Sequence, residues 1–126
     1  MFSHVMLGAN DIAKSKAFYD AILAPLGVAE GKADAKGRVF WRTKTGTFAI
    51  TAPLDGKAAH NGNGSTIGFY ATDTKTVDAW HAAGIANGGM TCEDPPGIRE
   101  GIVGKLYLAY LRDPAGNKIC ALHRVA

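Results

Sequence analysis

Ser3-His4-Val5-Met6-Leu7 and, 62 positions later, Ser65-Thr66-Ile67-Gly68-Phe69 are two writings of one short apolar strand. The same shift carries Asp11 onto Asp73, Ala17 onto Ala79 and Phe18 onto Trp80, so the likeness runs on beyond the strand. Self-similarity at a fixed spacing marks one supersecondary unit used twice. In each copy the alternating apolar stretch leads through a turn to an acidic residue and a helical pattern. Asp11 or Asn10 is placed to cap the first helix, and Asp73 the second, by accepting from backbone N–H groups that a helix start leaves free. Phe18 and Ile22 stand four apart on one helix face, and Val77, Trp80 and Ala83 or Gly84 repeat that pattern, so each helix has one side to bury.

Working outward, Leu26-Gly27 ends the first helix, and three strands are predicted near 28–33, 37–43 and 46–52 with Gly37 and Gly46 at their turns. The second copy predicts strands near 90–93, 106–112 and 117–123. Its last two are joined by Asp113-Pro114-Ala115-Gly116-Asn117, where proline presets φ and glycine supplies a left-handed position. A shift of 70 pairs Arg42 with Arg112, Gly46 with Gly116 and Ile50 with Cys120. The shift grows because Glu93-Asp94-Pro95-Pro96-Gly97-Ile98-Arg99 reads as a longer loop. The dense turn signal His60-Asn61-Gly62-Asn63-Gly64 lies between the copies. Module 1 is thus 1–58, the linker 59–64 and module 2 65–126. The expected fold is α+β: two βαβββ modules with helices on the outer faces and curved mixed sheets around a shared cleft.

Composition sets the outer bounds. A chain of 126 residues fits one domain and buries a core without a disulfide staple. With 47% hydrophobic and 20% charged residues it reads as a folded chain, and no run approaches the ~18 apolar residues of a membrane helix. Fourteen basic against eleven acidic side chains give +3, and the lysines are scattered rather than gathered into the basic stripe of a nucleic-acid reader. Met1-Phe2-Ser3-His4-Val5 has neither a basic n-region nor a long apolar run, so a cytoplasmic location with Cys92 and Cys120 reduced is expected. Neither nucleic acid nor membrane is expected as a partner.

The duplicated pattern, opening on His4-Val5-Met6-Leu7, continuing through Lys16-Ala17-Phe18-Tyr19 and closing on Arg112-Asp113-Pro114-Ala115-Gly116-Asn117-Lys118-Ile119, resembles the vicinal oxygen chelate superfamily over essentially the whole chain. That superfamily includes glyoxalases, extradiol dioxygenases, fosfomycin-inactivating enzymes and bleomycin-binding proteins. In its metal-using members, the first and last strands of each half contribute up to four ligands to one cation. The resemblance carries those positions onto His4, Ile50, Thr66 and Cys120, of which only His4 is the usual residue type. Isoleucine coordinates nothing and a threonine hydroxyl is a poor donor, so the implied metal centre is dismantled. No cofactor is expected. A divalent ion, if held, would be held weakly by His4 and Cys120.

The remaining candidates each carry two readings. Cys120 is a small buried hydrophobe, or a thiol made nucleophilic by His4 across the cleft. His4, with Phe2 and Met6 on its sheet face, is an interior histidine or a catalytic group. Thr66 packs in its strand or bonds a substrate oxygen. Tyr107 and Tyr110 stand three apart and point to opposite faces, so at most one lines the cleft. Arg99 is a solvated charge or closes over an anionic substrate. The resemblance implies a lyase- or dioxygenase-type enzyme with a degenerate metal site, taking a small organic molecule and pairing as a homodimer. The alternative is a non-catalytic protein that sequesters a small molecule or antibiotic.

Overall fold

The computed structural model describes residues 1–125 and builds both halves in one order. Module 1 contains β1 (His4–Gly8), α1 (Ile12–Leu23) with a 3₁₀ turn at Ala24–Leu26, β2 (Lys32–Ala33), β3 (Val39–Thr43) and β4 (Gly46–Thr51). Module 2 contains β5 (Ile67–Tyr70), α2 (Thr74–Ala86), β6 (Met90–Gly101), β7 (Gly104–Arg112) and β8 (Lys118–Arg124). Each module is a four-stranded mixed sheet, ordered β1-β4-β3-β2 in the first and β5-β8-β7-β6 in the second. The first and last strands of each pair in parallel.

The repeated acids do the same job twice. Asp11 accepts from the Lys14 N–H at 3.0 Å and Asp73 from the Thr76 N–H at 2.7 Å, each satisfying a donor at its helix start. Asn10 instead exchanges two hydrogen bonds with the backbone of Ala59, pinning the inter-module segment beside β1. Gly8 is required there, because a Cβ on it would stand 2.9 Å from the Ala59 Cβ.

Phe18, Ile22, Val77 and Trp80 are all fully buried, as the helical spacing predicts. The core is continuous between the modules. Tyr19 packs on Phe48 at 4.6 Å between centroids, Phe48 on Phe69 at 5.3 Å, and Phe69 on Trp80 at 6.5 Å. Val39, Trp41, Phe48 and Ile50 point to the helices, leaving the opposite face of each sheet open. None of the helices is long and apolar enough to cross a membrane among the described residues.

Three expectations need correction. The strand near 28–33 shrinks to Lys32–Ala33. The supposed loop at 93–99 lies inside the long strand β6, where Cys92 pairs with Tyr110 and Gly97 with Leu108. Residues 93–96 therefore bulge out opposite Ala109, carrying two prolines that cannot donate to a ladder and Glu93 at a φ of 59°. The third concerns register. Phe40 pairs with Ala49 and Tyr110 with Cys120, while Met6 pairs with Ala49 and Gly68 with Cys120. The counterpart of Cys120 is therefore Ala49, and Ile50, one residue on, points into the core.

Candidate functional site

On the open faces, cross-strand pairing lines residues into rows. In module 1 one row is His4–Thr47–Arg42 and the next is Met6–Ala49–Phe40. In module 2 the row Gly68–Cys120–Tyr110–Cys92 crosses all four strands. Gly68 is short of a side chain for a reason: a Cβ there would press on the Cys120 sulfur at 3.2 Å. Thr66 lies one residue before β5 and is exposed.

The environments of these groups limit their chemistry. Burial pushes the Cys120 thiol up to about 11, only partly offset by Lys118, so it is protonated at neutral pH and a poor nucleophile. The charged groups that act on this sulfur are Lys118 and Glu93, not His4. His4 is exposed, and its Nδ1 stands 2.8 Å from Ser3 Oγ, leaving Nε2 as the free ring nitrogen. Tyr107 turns to the helix side, where its hydroxyl donates to Asp78 at 2.7 Å; Tyr110 is the tyrosine on the open face, with Lys118 over its ring. Arg99 is committed to the bulge, donating to the carbonyls of Asp94, Pro95 and Gly97 at 2.9 to 3.1 Å. That leaves its fork spent on holding β6 rather than poised for an anion.

The donor set does not fit a tightly held divalent cation. Ala49 has no donor, Thr66 offers a neutral hydroxyl, and Cys120 holds its proton. Among the described residues no three His, Cys, Asp or Glu side chains are close enough to share an ion. Structural and catalytic zinc sites use three or four such ligands.

A cavity of about 580 Å³ opens along the seam where β1 and β5 face each other. Of the sequence candidates it contains His4 alone. Phe69, Tyr70, Leu26, Val28, Thr43 and Thr45 are among its lining residues, with the nearly covered Trp41 and Phe48 behind them. The Trp41 indole N–H is already donated to Asp20 at 2.9 Å and the side chain is 1% exposed, so it belongs to the core behind the cavity. Reasoning from the sequence missed this set, although threonines alternating at 43, 45 and 47 around Gly46 were a signal of a polar hairpin edge. A second, smaller cavity at the other end of the seam is lined by His60, Ser65, Asn117 and Lys118.

Comparison with known proteins agrees with this architecture. Residues 1–121 match the model of the Glyoxalase/Bleomycin resistance protein/Dioxygenase superfamily. A glyoxalase/bleomycin resistance protein from Albidiferax ferrireducens T118 is 64% identical, with a TM-score of 0.96 over 98% of this chain and 99% of that one. A lactoylglutathione lyase from Agrobacterium tumefaciens shares the fold at 23% identity and a TM-score of 0.66, over 97% of this chain and 92% of that one. A virulence protein of Salmonella typhimurium is 27% identical over 92% of this chain and 78% of its own length. With its duplicated βαβββ sheets and a matched span that leaves out only the last few residues, the chain belongs to the glyoxalase/bleomycin resistance protein/dioxygenase superfamily.

Proposed function

We propose that this protein binds a small organic molecule at the seam beside His4, without a resident metal ion, as a cytoplasmic homodimer. The observation that carries the reading is the pairing of a mostly uncharged seam cavity of about 580 Å³ with a superfamily ligand set reduced to one imidazole. Small-molecule sites are typically clefts of ~300–1,000 Å³, mostly apolar, with a few polar groups that orient the ligand. Lewis-acid catalysis, by contrast, needs a firmly held cation with open coordination positions.

Protein purified without chelator is expected to contain well under one equivalent of zinc, nickel, iron or manganese per chain by elemental analysis. A stoichiometric metal that is lost in His4→Ala would overturn the reading. A chemically mixed fragment library screened by thermal shift is expected to give stabilising hits that weaken in Phe69→Ala, whose side chain lines the cavity and is only partly buried. A library with no stabilising member would count against binding altogether.

A second reading, a metal-free enzyme of the lyase or dioxygenase kind, draws on the free Nε2 of His4 at the cavity edge. It predicts turnover of a bound compound that His4→Ala abolishes while leaving that compound's affinity intact.

A further inference from the structure

We infer that the open face of module 1 carries a site for a phosphate-type dianion, free or borne by a small ester, built around Phe40 by Arg42 and Lys32. None of these three residues lines the seam cavity, so the site goes beyond the binding reading above and stands or falls on its own.

The sheets sort their charges by face. Val39, Trp41, Leu111, Ile119 and Ala121 are buried in the core, so strand alternation sends Arg42, Arg112 and Lys118 to the open faces. Arg99 and Arg124 are both cross-strand partners of Leu106, which shares that face with Tyr110. Arg38 joins them, its Cζ 5.4 Å from the centre of the Phe40 ring. All five arginines of the chain therefore stand on the open faces, and surfaces of one sign draw in anions. Module 2 spends its share internally: Lys118 is paired with Glu93, while Arg99, Arg112 and Arg124 donate to backbone carbonyls.

In module 1 the charge is unspent. Lys32 is the cross-strand partner of Phe40, and Arg42, two residues along the strand, places its Cζ over the same ring at 4.4 Å. Arg38 is answered by Asp34 at 2.6 Å. Among the described residues, however, no hydrogen bond or ion pair engages the side chains of Arg42 and Lys32, and both residues are exposed. Three cations thus meet one carboxylate, leaving two positive charges beside a phenyl ring. The guanidinium of Arg42 keeps a planar fork of donors that matches phosphate oxygens. Two uncommitted charges suit a phosphate monoester, which carries nearly two negative charges at neutral pH, better than a carboxylate with one. The row Met6–Ala49–Phe40 is apolar, and Met6 is 36% exposed, so the organic part of an ester has a surface to rest on.

The test is a heteronuclear NMR titration of the whole chain in low salt at about pH 7.5, above the second phosphate ionisation near 6. Phenyl phosphate and inorganic phosphate at millimolar concentration should shift the signals of Lys32, Phe40 and Arg42, with benzoate at least roughly threefold weaker than either. Tighter binding of phenyl phosphate than of inorganic phosphate identifies an ester as the ligand, and equal or weaker binding identifies the free anion; both support the site. Arg42→Gln and Lys32→Gln should each weaken phenyl phosphate at least about fivefold. Lys44→Gln, the same loss of charge at an exposed turn position, should leave it unchanged. Asp34→Asn keeps the oxygen that accepts from the Lys36 and Arg38 N–H groups and releases the Arg38 guanidinium, so it should tighten binding. Spectra unchanged away from the face show that each variant is folded. Benzoate binding as tightly as phenyl phosphate, equal weakening by Lys44→Gln, looser binding in folded Asp34→Asn, or no shift at Arg42 with either phosphate would each overturn the inference.

Discussion

The two halves of this molecule share a blueprint and differ in how each closes on the other. Module 2 ends its β7–β8 hairpin in a turn whose Asp113 gathers the Tyr19 hydroxyl, the Asn117 side chain and the backbone N–H groups of Ala115 and Asn117. Asp113 and Asn117 are 5% and 6% exposed, so this is a buried polar cluster joining the modules. Thr43, Lys44 and Thr45 in the corresponding turn of module 1 are exposed, and among the described residues this turn's side-chain hydrogen bonds stay within it. The difference teaches that duplication supplies the frame, while the departures from it decide where the frame is sealed and where it is left open.

The sharpest way to break that comparison is to remove the seal. Asp113→Ala strands the Tyr19 hydroxyl and three further donors, and is expected to lower unfolding free energy by about 3 kcal/mol in urea titrations. Thr43→Ala in the matching turn is expected to cost under about 1 kcal/mol, because its partners are solvated. Equal effects at the two sites would mean that the turns are not functionally different. Alkaline pH probes the same contact. Burial, then the Asp113 charge and hydrogen bond, holds the Tyr19 hydroxyl well above its ordinary value of 10. Its contribution is complete below pH 10 and is lost as pH rises past it, since the unfolded phenol ionises first. Tyr19→Phe should remove that part of the alkaline loss.

A second comparison sets Ile22 of α1 against Gly84, its counterpart in α2 under the shift of 62. Gly84 is filled from outside: a Cβ there would lie 2.3 Å from Leu111 Cδ1 and 3.4 Å from Ile22 Cγ2. Gly84→Ala therefore gains helix propensity but overpacks the junction, and a net loss of about 1–2 kcal/mol is expected. A neutral or stabilising result would show that Leu111 can shift without penalty and that the close approach of α2 to β7 is not required.

Most of the frame was legible because its signals are local. The Asp11 and Asp73 caps, the buried Phe18 and Trp80, and the order of strands all follow from spacing within a module. The site was less legible, and Ile50 shows why. Gly46 and Gly116 align by eye, and both have positive φ, 155° and 92°. Yet the residue count across the two turns differs by one, so an alignment anchored on glycine lands one residue off beyond it. In a strand that slip exchanges faces, turning a core isoleucine into a supposed cleft residue. Arg99 and Tyr107 were hidden by a different cause: their partners, the bulge carbonyls and Asp78, are set by tertiary packing rather than by any local pattern.

The smallest expected effect is also the one that separates the two cysteines. Cys120 and Cys92 flank Tyr110 in one row across the module 2 sheet, and Cys120 is 7% exposed whereas Cys92 is half-buried. Desolvation favours the neutral thiol of Cys120, and the Glu93 carboxylate adds to it while the Lys118 ammonium opposes it. Because the folded thiol titrates near 11 and an unperturbed one at 9, this favours the folded state fully below pH 9 and ceases to do so as pH climbs from 9 to 11. At pH 7 iodoacetamide should therefore modify Cys92 first, with Cys120 lagging in a Cys92→Ser protein until the solution is strongly alkaline. Replacing His4 by alanine should leave the Cys120 rate where it was. Rapid alkylation of Cys120 at neutral pH, slowed by His4→Ala, would instead join the open faces of the two modules into one reactive centre and restore a catalytic role to the pair.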